Sequence, residues 1–220
     1  MRKRHTLFKN HSFKRRRFSK ALRRHKRKSS IAIVLLAIAG ILLIGRGGYI
    51  YAKAELAQYL IHTSWKQSLI SHKEIKPWPW ADTWPVARMI VPKYKVDLVV
   101  LSGDSGRTLA FGPGHRFGTT APGDNGNSIV SAHRDTHFKF LQYLNIGDEL
   151  VVQNQNAQIK YFQVVDTQVV DADKASIPVD YNEAVLTLVT CYPFNQKTPG
   201  GNLRYLVTLV EIKNKDLVIT

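Results

Sequence analysis

Ile31–Ile44 (IAIVLLAIAGILLI) runs for fourteen residues without a charge or a strongly polar group, and after Gly45-Arg46-Gly47-Gly48 the apolar character resumes at Tyr49-Ile50-Tyr51-Ala52. As one helix, the 22 residues of 31–52 extend about 33 Å at ~1.5 Å per residue, enough to cross a hydrocarbon layer of ~30 Å. Arg46 is the one flaw, and near the outer end its long stem carries the guanidinium to the interface at small cost. Residues 1–28 hold 14 of the 32 Lys and Arg and no acid, because Glu55 is the first carboxylate. That block marks the amino-terminal side as cytoplasmic and places residues 53–220 outside. The chain is thus expected to divide into a basic cytoplasmic tail (1–28), a transmembrane anchor (29–52), a helical stalk with a Trp/Pro linker (53–83) and a folded domain (84–220).

Two further export readings fit parts of the same segment. Ala52-Lys53-Ala54 has the form of a signal-peptide cleavage site, but it lies far beyond Ile44, which favours retention as an anchor. Arg15-Arg16-Arg17-Phe18-Ser19-Lys20 loosely matches a twin-arginine signal, a match that arises by chance in so basic a tail. Removing the 14 tail cations leaves 18 basic against 16 acidic side chains in residues 29–220, a net of +2. The folded part therefore lacks the basic face of a nucleic-acid-binding domain, and the tail's expected partner is anionic lipid. The single Cys191 excludes an internal disulfide framework and a multi-cysteine zinc site.

Past the anchor, Leu56, Tyr59, Leu60, Leu69 and Ile70 recur at helical spacing, and Lys76-Pro77-Trp78-Pro79-Trp80 then breaks any helix. Trp78, Trp80 and Trp84 are read as packing against the domain, with the membrane interface as the alternative. From there the pattern is β. Short runs at 86–91, 96–101, 128–131, 149–153, 159–170, 184–191 and 203–212 are rich in Val, Ile, Leu, Thr and Tyr. Gly112-Pro113-Gly114, the 122–127 segment and Pro199-Gly200-Gly201-Asn202 read as turns, and one short helix is expected over 136–143. Seven or eight strands without alternating long helices predict a mostly β fold, a closed or nearly closed barrel.

Cys191 ends the apolar strand Val185–Thr190, and His133 ends the strand Ser128–Ala132. Nucleophile and base are often held this way, on rigid elements at a cavity rim. A lone cysteine in an apolar run is also commonly an inert core thiol, and that reading stays open here. A His133/His137/Cys191 zinc site lacks a further strong ligand, and the scattered acids form no calcium loop, so no metal is expected. Arg204 lies thirteen residues after Cys191. If the two strands pair, its guanidinium reaches the thiol's surroundings and can bind an oxyanion, the alternative being a surface salt bridge.

Thr187-Leu188-Val189-Thr190-Cys191 resembles the TLxTC signature of the sortases, membrane-anchored cysteine transpeptidases of bacterial surfaces. Ala132-His133-Arg134-Asp135-Thr136-His137-Phe138, with Phe140-Leu141 and Gly147-Asp148, is similar to that family's GHRD-like histidine region, and Arg204 falls in its arginine-containing last strands. Ala132 departs from the family's usual glycine. The segments 76–85 and 190–194 look most like the proteobacterial subgroup called class GN, near class D. The resemblance covers about residues 76–220 and implies a sortase-like closed barrel with short helices. It implies catalytic His133, Cys191 and Arg204, with His115, Thr190 and Asp135 as candidate substrate-lining residues, and loops 111–127, 171–183 and 192–202 framing a groove. No cofactor is implied. The implied partners are an exported protein bearing a carboxyl-terminal LPxTG-like sorting motif and an amine acceptor. The implied location is the inner membrane, single-pass, with a periplasmic domain. The alternatives are a membrane-anchored thiol peptidase using the same Cys–His pair, with water as acceptor, and a non-catalytic exported binding module.

Overall fold

The computed structural model describes residues 11–196 and 200–213. The first ten residues of the basic tail, three residues of the 192–202 loop and the end of the folded domain lie outside the described residues. The chain divides into two compact units, Met1–Lys53 and Ala54–Thr220.

Helix α1 (His11–Ser71) runs unbroken through the apolar stretch, as expected where no proline intervenes. Its segment from Ile33 is long and apolar enough to cross a membrane. Within the first unit those side chains are exposed, Leu36 and Ile44 at 77% each.

In the second unit eight strands close a mixed barrel. They are β1 (Pro85–Val91), β2 (Val96–Ser102), β3 (Gly114–His115), β4 (Gly126–Ser131), β5 (Glu149–Asn154), β6 (Ile159–Asp171), β7 (Ala184–Cys191) and β8 (Leu203–Glu211). The order around the barrel is β1-β2-β3-β4-β7-β8-β6-β5, and β5 pairs β1 to complete it. β2/β3 and β4/β7 are parallel, and the remaining pairs are antiparallel. Alternation decides which side chains enter the barrel. Ala87, Met89 and Val91, Val130 and Ala132, Leu186 and Leu188, Val207 and Leu209 all join one core cluster. The β4–β5 connection adds Phe138, Phe140, Leu141 and Leu144 to that cluster. A 3-10 turn at Lys139–Tyr143 replaces the short helix expected over 136–143.

The end of α1 packs on the outer surface of β2. Ala57, Ile61, Ser64, Trp65 and Ser68 are buried, a stripe at the three- and four-residue spacing of one helix face. Ile61 and Trp65 cluster with Val99 and Leu101. Gln58 Nε2 donates to the Phe111 carbonyl at 2.7 Å, and the Ser64 hydroxyl donates to the Ile75 carbonyl. Trp78 meets Phe111 edge-on with ring centroids 5.0 Å apart. The Trp84 carbonyl accepts the Ser102 amide at 2.8 Å, whereas Trp80 is 83% exposed. The docked face differs from the hydropathy expectation, because Leu56, Tyr59 and Ile70 are exposed.

Candidate active site

β4 and β7 run side by side and parallel, with Ser131 opposite Val189. Past the formal end of β4 two more bonds hold the strands together. The Ala132 amide donates to the Val189 carbonyl at 3.1 Å, and the Thr190 hydroxyl donates back to the Ala132 carbonyl at 2.7 Å. His133 and Cys191 each follow two residues after the Ser131/Val189 pair, so the two chains carry them out of the sheet at the same end.

β8 continues the row, because Cys191 pairs directly with Arg204 across the antiparallel β7/β8 ladder. The adjoining Tyr192 amide donates to the Leu203 carbonyl at 3.1 Å. Cys191 and Arg204 therefore form the non-hydrogen-bonded kind of pair, the closer kind, with Cα atoms about 4.5 Å apart. Val130, Ala132, Leu186 and Leu188 point into the barrel, so by alternation His133, Cys191 and Arg204 share its outer face. His133 is exposed, and the other two are half-buried.

The functional groups are not locked to one another. Among the described residues no hydrogen bond joins the Cys191 thiol to the His133 ring. The Arg204 Nη1 donates to the Gly201 and Leu203 carbonyls at 2.8 and 2.9 Å. No carboxylate within the described residues pairs with it, so the surface salt bridge that sequence left open is not formed there.

The other named residues are placed differently. Thr190 is buried and spends its hydroxyl on Ala132. Asp135 is exposed, its carboxylate 3.6 Å from Arg134 Nε. His115 stands opposite Val130, on the core-facing side of the sheet rather than the side of His133. Its Nε2 lies 2.8 Å from the Thr120 carbonyl and 3.0 Å from the Thr119 hydroxyl. It lines a cavity of about 370 Å³ with Trp84, Ser102, Asp124 and Asn154. Burial pushes the His115 pKa below its ordinary value, against the opposing pull of the Thr120 carbonyl and Asp104. No three His, Cys, Asp or Glu side chains cluster to hold a metal among the described residues.

Two further residues stand near the row: Arg134, given no site role from sequence, and His137, considered there only as a metal ligand. Arg134 has a side chain only 6% exposed, and its Nη2 donates to the Gln196 carbonyl at 3.0 Å. It thus ties the loop after His133 to the loop after Cys191. His137 is half-buried, and its pKa is lowered by burial and then by the nearby His133. The Phe138 amide closes this turn on the His133 carbonyl at 3.0 Å.

Along the same outer face a cleft of about 150 Å³ is floored by Gln168, Val170, Thr187, Leu206 and Thr208. Ala175–Pro178 and Tyr181, from the β6–β7 loop, form its lip. Leu206 is opposite Val189, two residues before Cys191, so the cleft leads toward the row.

A sortase domain model matches residues 89–211, more than half of the chain and a span that contains His133, Cys191 and Arg204. Sortase D of Bacillus subtilis (strain 168) is 34% identical over 106 residues, 48% of this chain and 53% of that protein. The chain therefore spans about half the length of this curated relative. Sortase C-1 from Actinomyces oris aligns with a TM-score of 0.52 at 31% identity, over 58% of this chain and 74% of that one. A Clostridium perfringens sortase D5 transpeptidase aligns with a TM-score of 0.59 at 20% identity, over 72% and 99%. Sortase A from Corynebacterium diphtheriae aligns with a TM-score of 0.54 at 24% identity, over 63% and 64%. At those identities the last two bear on the fold alone.

Proposed function

The chain belongs to the sortase family, and we propose that it is a membrane-anchored cysteine transpeptidase acting through Cys191, His133 and Arg204. The Cys191 thiolate attacks the carbonyl carbon of a scissile peptide bond in an LPxTG-like motif of an exported protein. The developing oxyanion is met by the Arg204 guanidinium, which leaves the carbonyls of its own loop for a full negative charge. His133 gives its proton to the departing amine, the C–N bond breaks, and a thioester to Cys191 remains. An acceptor amine then attacks that thioester and loses its proton to His133, and the thiolate is released. One amide bond is broken and one is formed, with no net redox change and no water consumed.

The observation that carries this reading is the direct pairing of Cys191 with Arg204 across β7/β8, beside a β4 strand paired with β7 up to Ser131, two residues before His133. Exposed imidazole and half-buried thiol suit a site where a protein-borne peptide must enter and leave. The donor's motif is assigned to the cleft over Thr187, Leu206 and Thr208. The basic tail and apolar helix assign the catalytic domain to the outer side of the cytoplasmic membrane, and the 76–85 and 190–194 wording assigns the chain to the proteobacterial class GN/class D-like subgroup.

Incubation of the full-length chain with a peptide carrying the motif, followed by mass spectrometry of the intact protein, tests the reading. A thioester adduct on Cys191, absent in Cys191→Ala and discharged by an added amine into a new amide, is the expected result. Continued turnover by a folded Cys191→Ala protein overturns the assignment. Discharge by water alone, unaffected by amine, turns it into a thiol peptidase.

A further inference from the structure

A second groove opens beside the turn that follows His133, with His137 in its lining. It measures about 530 Å³ and lies between the β1–β2 connection with the start of β2 (Tyr94, Lys95, Asp97) and the segment after His133 (His137, Lys139, Tyr143). We infer that this groove receives the acceptor, as a peptide amine whose body carries carboxylates. The inference rests on the transpeptidase reading and adds to it the location and charge class of the second substrate.

Microscopic reversibility sets the direction of approach. The group that protonates the leaving amine also deprotonates the incoming one, so the acceptor must reach the thioester from the His133 side. The donor cleft lies on the other side, over β7, β8 and β6. From His133 the chain makes one tight turn, closed by the Phe138 amide on the His133 carbonyl at 3.0 Å. That turn delivers His137 to the lip of the groove. An acceptor whose amine sits at His133 thus has its next residues over this surface.

The lining defines what those residues are. Tyr94, Phe140 and Tyr143 give an aromatic wall, and the Tyr94 hydroxyl donates to the Tyr143 carbonyl across it. Asp97 is the one carboxylate in the lining, and Arg88 grips it with Nε 2.8 Å and Nη2 2.5 Å from its two oxygens. Lys95 and Lys139 are both exposed, and within the described residues neither has a carboxylate partner. With Asp97 neutralised, the groove presents two uncompensated ammonium groups beside an aromatic wall, on a domain whose charge is otherwise nearly balanced. An acidic peptide complements that surface, and a basic one is repelled.

The probes are Gly-Gly-Glu-Glu and its neutral isostere Gly-Gly-Gln-Gln, offered as acceptors to the acylated full-length chain. The readout is the ratio of their aminolysis rates, in which any general loss of activity cancels. At low salt the wild-type ratio is expected to favour the acidic peptide about fivefold, as two exposed ion pairs allow, and to shrink as salt is raised. Lys95→Glu combined with Lys139→Glu, both surface changes, should bring the ratio to one or below. A wild-type ratio of one, or a preference that survives the double substitution, overturns the inference. On the Cys191→Ala protein, which needs no donor, fluorescent Gly-Gly-Glu-Glu should bind more tightly than Gly-Gly-Gln-Gln, and equal binding counts against the groove. Failure to form any acyl-enzyme is a separate outcome that overturns the transpeptidase reading and this inference with it.

Discussion

Two histidines attend opposite faces of one sheet. His115, opposite Val130 on the core side, has its ring held between the Thr119 hydroxyl and the Thr120 carbonyl. His133, just beyond Ser131 on the outer face, is exposed, and its ring makes no hydrogen bond among the described residues. Both contacts converge on Nε2, and a ring nitrogen held in this way fastens a loop and is not free to exchange its proton. An exposed imidazole with its nitrogens free is the kind of group that proton transfer needs. On the proposed mechanism this difference separates the fastening histidine from the proton-transferring one more sharply than either residue's place in the sequence.

The largest effects that can break this comparison belong to the outer face. His133→Ala should lower kcat/KM for transpeptidation by about 10²- to 10⁴-fold, the usual span for a lost acid–base group. Arg204→Ala should cost about 10²- to 10³-fold, as for other oxyanion donors, and Arg204→Lys should recover part of it. Circular dichroism should find both folded, because neither side chain is in the core. If His115→Ala, in a folded protein, lost as much activity as His133→Ala, the division of labour between the two faces would be wrong.

A smaller effect is expected one residue away. Arg134 keeps its guanidinium buried and bonded to the Gln196 carbonyl, so it acts on the reaction only through the loops that carry His133 and Cys191. Arg134→Met keeps most of the stem and removes the bond, which for a charged donor is worth about 1.5–3 kcal/mol. The expected result is a lowered Tm and a roughly tenfold fall in kcat with a smaller change in KM, a split typical of lost positioning rather than lost binding. Methanethiosulfonate labelling of Cys191 should proceed at its wild-type rate, since the thiol itself is untouched.

What sequence made legible follows from what carries a pattern. Long strands such as β6 and β7 announce themselves through β-branched and apolar runs, and Cys191, His133 and Arg204 stand out as reactive side chains at strand ends. β3 is two residues long, too short for any alternation, and Gly112-Pro113-Gly114 reads as a turn. The docking face of α1 was hidden because Ala57, Ser64 and Ser68 are small. Small side chains let a helix come close to a sheet, and hydropathy gives them no weight. Nothing local marks Arg134 for burial, because its guanidinium is held by a carbonyl 62 residues away. Thr190 belongs to a recognisable motif, but its bond to Ala132 depends on strand pairing that no local spacing reveals.

The smallest expected effect tests the inner face directly, through the pH dependence of stability. Burial is the largest influence on His115 and lowers its pKa from the ordinary 6.5, so the folded protein resists a proton that the unfolded chain accepts. The unfolded state then binds more protons below pH ~6.5, and stability must fall as pH drops from there toward the lowered folded value, while staying flat above it. His137, also lowered by burial, adds to the same trend. Asp97 has its pKa lowered chiefly by its hydrogen bond with Arg88, so its contribution is present above the carboxylate value of 3.8 and is lost only as pH falls below it. The histidine effect, below pH 6.5 and above the carboxylate value of 3.8, can therefore be read on its own. Thermal melts across that window should show Tm declining with acidification in the wild type and declining less in His115→Gln. A Tm that rises on acidification would mean that Asp104 and the Thr120 carbonyl outweigh burial. His115 would then be a charged ring rather than a neutral fastener.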